Sequence, residues 1–200
     1  MKLYLNKTSP YARLVLATAH EAGLVSQIEM VWTEPWDDNA ELLAVNPLSK
    51  VPALITDSGV ALIESALICD YLVAQSGRGH LLPTDSAQRE SVLQRLGIGR
   101  AVIDCAFGSV IQRRFNDGAD TPLSKRWLKA IPRAVAALET IASKLSAPPE
   151  PDLADLAVTV ALDYVDFRLP EIAWRGNAPT LVSAVDGLLA RPSMQATNPR

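Results

Sequence analysis

Ser9-Pro10, Lys50-Val51-Pro52 and Glu64-Ser65 are the short segments of this sequence whose residue types could do chemistry. Glu64-Ser65 ends a strand pattern and opens a helical one. A helix N-terminus presents free N–H groups and the positive end of the helix dipole, so it can hold a carboxylate. Ser65 would add a hydroxyl donor and Glu64 an acceptor for an ammonium group, which together match the α-amino-acid end of a ligand. An ordinary N-cap fits the same two residues. Pro52 removes one ladder donor where it enters a strand, and it pushes Val51 toward an extended conformation with backbone groups facing outward. Such an edge can pair with a bound peptide in strand fashion; it is equally a plain strand start. Ser9 before Pro10 has the same double reading, a helix cap by default and an activating hydroxyl in the right context.

The elements that must position these residues follow from period and punctuation. Lys2 to Leu5 reads as a short strand ending in Asn6-Lys7-Thr8. Ser9 and Pro10 then start a helix with Leu14, Val15, Ala19 and Ala22 at helical spacing, ended by Gly23. Ile28, Met30 and Trp32 alternate with polar neighbours, which predicts a strand. A polar loop from Thr33 to Asn39 leads to a short helix over 40–45, broken by Asn46-Pro47. Residues 53–56 and 60–63 form two strands around a tight Asp57-Ser58-Gly59 turn. Ser65 opens a helix with Leu67, Ile68, Tyr71 and Leu72 on one face, closing near Gly77. The order is β-α-β-(α)-β-β-α.

Beyond about Ala87 no strand signal remains. Helical spacing runs over 86–114, 123–145, 152–169 and 181–189, the last stopped before Pro192. Pro132 is expected to kink or split the second of these, since interior proline costs ~3 kcal/mol, and Ala147 to Pro151 marks a break. Asp152 as N-cap with Asp155 three residues later predicts a capping box, a structural role that keeps both out of the active site. The chain therefore divides into an α/β domain over 1–77, a linker over 78–85 and an all-α domain over 86–200.

Composition removes several classes of function. The 200 residues are 48% hydrophobic, ample for a core without crosslinks or cofactors. Nineteen basic residues against twenty-two acidic ones leave a net charge of −3. The scattered cations do not form the cluster that a nucleic-acid surface needs. Cys69 and Cys105 are too few for a disulfide framework and fall on apolar helix faces as buried small hydrophobes. His20 and His80 are isolated, so no metal site is expected. No apolar run reaches the ~18 residues of a membrane span, and no signal peptide is evident, so a cytoplasmic protein in a reduced compartment is expected.

Taken together, Thr8-Ser9-Pro10-Tyr11-Ala12-Arg13, Asn46-Pro47-Leu48-Ser49-Lys50-Val51-Pro52-Ala53-Leu54, Ile63-Glu64-Ser65-Ala66-Leu67-Ile68 and Asp152-Leu153-Ala154-Asp155 resemble bacterial cytosolic glutathione S-transferases, over essentially the whole chain. The resemblance implies a thioredoxin-like first domain with a mixed four-stranded sheet, a helical second domain, a homodimer, and a cis Val51–Pro52 peptide bond. It implies that Val51 exchanges main-chain hydrogen bonds with the cysteinyl part of glutathione, that Glu64 and Ser65 hold the γ-glutamyl end, and that Lys50 reaches the glycyl carboxylate. Ser49 stands where many relatives have glycine. Ser9 fills the catalytic slot that holds a redox cysteine in thiol-transferase-like relatives; Thr8, Tyr11 and Tyr4 are the competing hydroxyls. The expected activity is attack of a glutathione thiolate on a small apolar electrophile, as in detoxification, or reduction of an organic hydroperoxide. The alternatives are a glutathione-binding interaction module with little turnover and a glutathione-dependent disulfide reductase, which the serine at position 9 disfavours. No nucleic-acid, membrane or metal partner is implied.

Overall fold

The computed structural model describes residues 1–145 and 150–200, so most of the expected Ala147–Pro151 break, Ala147 to Pro149, lies outside the described residues. Contacts divide the chain into two compact units, Met1–Leu82 together with Pro192–Arg200, and Pro83–Arg191.

The first unit is built on β1 (Lys2–Leu5), β2 (Glu29–Trp32), β3 (Ala53–Ile55) and β4 (Ala61–Ile63), in the order β2-β1-β3-β4. β1 runs parallel to β2 and antiparallel to β3, and β3 is antiparallel to β4. This is the mixed sheet expected. Helix α1 (Pro10–Glu21) packs on α3 (Ser65–Ser76), and the small α2 (Ala40–Val45) sits beside β3. Gly77 ends α3 in the left-handed region at φ 65°, which glycine enters without penalty. The expected alternation in β2 fails at its end: Ile28 is buried, but Trp32 is 52% exposed. β2 is the sheet's edge, and its last residue has only β1 to lean on.

The second unit is helical: α4 (Ser86–Arg114), α5 (Pro122–Thr140), α6 (Leu153–Arg168) and α7 (Pro179–Leu189). Every residue of α6 from Leu153 to Val165 is buried, as in a helix enclosed on all sides; most are apolar, with Asp155, Thr159 and Asp163 buried among them. α4 crosses it closely at Gly99, where an added Cβ would lie 3.0 Å from the Val158 nitrogen. Pro132 does not split α5, which continues through it. Its ring is on the exposed side, where water can serve the carbonyl that loses its partner. Pro192, expected only as a stop, opens a further short helix, α8 (Pro192–Ala196), which packs on α1 within the first unit. Proline suits both roles, since a helix's first N–H has no partner to lose.

A surface ion-pair cluster joins the α4–α5 turn to the segment after α6. Arg113 donates to both carboxylate oxygens of Asp120, at 2.7 and 3.1 Å, and to Glu171 at 2.5 Å. The Arg113 hydrogen bonds, with a smaller contribution from the Ser124 hydroxyl, hold the Asp120 carboxyl below the ordinary aspartate range. A depressed folded-state pKa stabilises the fold above the unfolded pKa, about 3.9, and the contribution is lost as pH falls through the lower folded value. Asp120→Asn should therefore flatten the acid limb of the stability curve below about pH 4. Denaturant midpoints measured from neutral pH downward for both proteins check this.

Candidate active site

Sheet polarity gathers the candidate residues. Tyr4, Ala53 and Ile63 lie in one cross-strand row. Beyond that row the chain leaves β1 toward Ser9, enters β3 from Val51-Pro52, and leaves β4 into Glu64-Ser65. Two strand exits and one strand entry therefore meet at one end of the sheet. Residues far apart in sequence are brought together by topology, while each is shaped by its local sequence.

Ser9 caps α1, its Oγ accepting from the Ala12 N–H at 3.2 Å and its carbonyl from the Arg13 N–H at 3.0 Å. Oγ acts there as acceptor, and among the described residues nothing accepts its O–H. The competing hydroxyls are differently placed. Thr8 donates to Asn6 Oδ1 at 3.1 Å. Tyr4 donates to Glu41 Oε1 at 2.8 Å, and burial first, then that carboxylate, raises its pKa. Tyr11 is half-buried in the first turn of α1.

Val51 is half-buried against the Tyr4–Leu42–Ala53 cluster. It lies two residues ahead of β3, and among the described residues its N–H and C=O enter none of the backbone hydrogen bonds of the sheet or its turns. The Val51–Pro52 bond is cis, as the resemblance implied. Ser49, at the position where glycine was noted, adopts φ 50°. That left-handed backbone explains the preference for glycine. The serine is held there by donating its hydroxyl to the Pro35 carbonyl at 2.8 Å. Lys50 is exposed, with no carboxylate at ion-pair distance among the described residues.

Glu64 is the N-cap of α3, at φ 69° and ψ 113°, and its side chain caps no N–H. A non-glycine residue in that region is uncommon and tends to mark functional positions. Ser65 is therefore the first helical residue rather than the cap, and it is 2% exposed at the helix's positive end. The two cysteines stand elsewhere. Cys69 is fully buried, 3.3 Å from Thr18 Oγ1, and burial followed by Asp104 pushes the Cys105 thiol up. Cys105, expected to be buried, is only half-buried, and its raised pKa works against a thiolate there.

The capping box at Asp152 and Asp155 is present, with side chain to N–H distances of 3.0 and 2.9 Å. Arg95 of α4, 2% exposed, completes it: its guanidinium donates to Asp155 Oδ1 at 2.7 Å and to both oxygens of Asp152. The sequence reading missed Arg95, although a cation on the apolar stripe of Val92, Leu96, Gly99 and Val102 was a signal that a buried carboxylate must face it.

Residues 8–75 match the family profile described as glutathione S-transferase, N-terminal domain, and residues 103–185 match the corresponding C-terminal domain profile. A glutathione transferase family member from Pseudomonas fluorescens Pf-5, solved with bound glutathione, is 32% identical with a TM-score of 0.87, covering 100% of this chain and 98% of that one. A glutathione S-transferase from Methylobacillus flagellatus KT with glutathione bound is 28% identical at TM-score 0.88, covering 100% and 99%. The uncharacterized GST-like protein YibF of Escherichia coli (strain K12) is 27% identical over 100% of this chain and 98% of its own length. The chain belongs to the glutathione S-transferase family.

Among the described residues no helix is long and apolar enough to cross a membrane, and no group of three or more potential ligands could hold a metal ion.

Proposed function

We propose that the protein is a glutathione S-transferase in which the Ser9 hydroxyl stabilises the glutathione thiolate for attack on a small apolar electrophile or an organic hydroperoxide. The observation that carries this reading is the divided role of the Ser9 hydroxyl. It accepts from Ala12 and keeps its own proton to donate, at a helix N-terminus, whereas Thr8 and Tyr4 donate within the protein. A thiol of pKa ~8.5 is shifted toward thiolate in such a place. Val51 offers its main chain to the cysteinyl residue, Glu64 and Ser65 take the γ-glutamyl ammonium and carboxylate, and Lys50 takes the glycyl carboxylate. The glutathione-binding domain is residues 1–77, with a linker over 78–85 and the helical domain from 86 to 191; the expected extent to 200 is shortened because 192–200 packs with the first unit. Support for conjugation chemistry comes from a 30% identical Pseudomonas fluorescens Pf-5 structure that holds S-(propanoic acid)-glutathione, substituted on sulfur. The reading extends to a cytoplasmic homodimer acting in detoxification, an expectation that comes from the family resemblance.

Retention on immobilised glutathione, followed by a panel of electrophiles and peroxides, tests it. Retention without turnover would instead make the protein a glutathione-binding module. Ser65→Ala should weaken glutathione binding by about 1–3 kcal/mol, because a carboxylate loses a charge-assisted donor. Calorimetry showing unchanged affinity would remove the γ-glutamyl assignment.

A further inference from the structure

Asn46 is 2% exposed and sits in the turn between α2 and Val51, a place where the sequence shows only an Asn-Pro helix break. Both halves of its amide are committed. Nδ2 donates to the Lys50 carbonyl at 2.8 Å, and Oδ1 accepts from the Leu48 N–H at 3.0 Å. A carbonyl can only accept and a backbone N–H can only donate, so these contacts allow one orientation of the amide. Its main chain is fixed as well: the Asn46 N–H donates to the Leu42 carbonyl at 2.8 Å, and its carbonyl accepts from the Ser49 N–H at 3.0 Å. The turn it braces contains Ser49 at φ 50°, a conformation a serine does not hold unaided.

The peptide between Lys50 and Val51 is trans, so its C=O and N–H point in opposite directions. The Lys50 carbonyl is drawn toward the buried amide of Asn46. The Val51 N–H of the same plane is thereby turned away from it, and among the described residues no backbone carbonyl accepts from it. Loss of the Asn46 donor frees the plane to rotate, and rotation would present a carbonyl where the ligand also has one.

We infer that Asn46 is a positioning residue for glutathione: by holding the Lys50 carbonyl it aims the Val51 N–H at the cysteinyl carbonyl of the tripeptide. This rests on the glutathione reading of the site and adds to it a residue that touches no ligand. Its signature is a loss of binding with little loss of chemistry, since Ser9 is carried by a different element.

Asn46→Asp is nearly isosteric, keeps an acceptor for Leu48 and places a carboxylate oxygen against the Lys50 carbonyl. It should raise the glutathione Kd roughly tenfold or more, with kcat at saturating glutathione within about threefold of the parent, the pattern of lost ground-state binding. Asn46→Ala should move affinity the same way. Unchanged affinity in folded Asn46→Asp, or a fall in kcat at unchanged affinity, overturns the inference. Amide hydrogen exchange on the unmutated chain gives a second test, independent of how the variants fold. Glutathione should slow exchange at the Val51 N–H, and no ligand-dependent protection there overturns the assignment. Failure of the unmutated chain to bind glutathione at all would instead sink the glutathione reading, and this inference with it.

Discussion

Replacing Arg95 with alanine is expected to destabilise the helical unit by about 3–5 kcal/mol, the cost of breaking a buried ion pair by removing one partner. Arg95 and Asp155 are almost wholly enclosed, and Asp152 is 6% exposed, so water cannot replace the guanidinium. Two carboxylates at the start of α6 would then face each other without a cation. The helix dipole favours negative charge at that end, but its contribution is a fraction of the lost pairing. Asp152→Ala removes less. A lost N-cap alone costs about 0.5–2 kcal/mol, and here it also leaves Arg95 with one carboxylate, so its effect should exceed a simple cap. Arg95→Met with both aspartates changed to asparagine should recover much of the loss, because buried charge networks are often no more stable than well-packed neutral ones. Denaturant unfolding of the four proteins reads these differences directly. Arg95→Ala at or near the parent's stability would mean that solvent reaches the triad. Glutathione affinity of the folded variants should match the parent, since the triad belongs to the scaffold.

The contrast between Arg95 and the capping box shows what was legible in the sequence. A capping box is local: two aspartates three residues apart specify it whatever lies around them. The same holds for the Ser9-Pro10 helix start, the Gly77 stop and the 86–114 helix, all of which the structure reproduces. Arg95 finds its partners 57 and 60 residues away, a pairing set by the close α4–α6 crossing at Gly99, which helical periodicity does not encode. Trp32 and α8 escaped for related reasons. Alternation says which face a strand residue occupies but not whether a neighbouring strand covers it. Proline after a helix is read as a terminator although it also suits a helix's first position. Asn46 is the instructive case within the site. Asn46-Pro47 reads as a helix break, and nothing in the local sequence shows that the Asn46 side chain bonds to Leu48 and Lys50.

Ser9→Ala should cut turnover at neutral pH by roughly tenfold to a hundredfold. Losing one hydrogen bond to a charged group is worth about 1.5–3 kcal/mol, and each 1.36 kcal/mol is about a factor of ten in rate. The loss should fall on the chemical step. Glutathione affinity should change much less, because the proposed reading assigns the tripeptide's ends to Lys50 and to Glu64-Ser65, and its middle to Val51. The helix cap weakens at the same time, since Oγ also accepts from Ala12. A structural effect must therefore be separated from a chemical one. Ser9→Asn and Ser9→Asp retain a capping acceptor, but only Ser9→Thr retains a hydroxyl at that position. Thiolate absorbance of the bound complex across pH then discriminates. In Ser9→Ala, Ser9→Asn and Ser9→Asp the apparent thiol pKa should rise toward the free value of ~8.5, while Ser9→Thr should keep much of the depression. Ser9→Cys should gain disulfide exchange, since a thiol at a helix N-terminus is activated and can attack a glutathione disulfide. An unshifted titration in Ser9→Ala would exclude Ser9 as activator and pass the question to Tyr11, whose ring lies in the same helical turn. A shift shared by every Ser9 variant, threonine included, would show that helix-end geometry rather than the hydroxyl sets the thiolate's pKa, and would move the stabilising role to the N–H groups and dipole of α1.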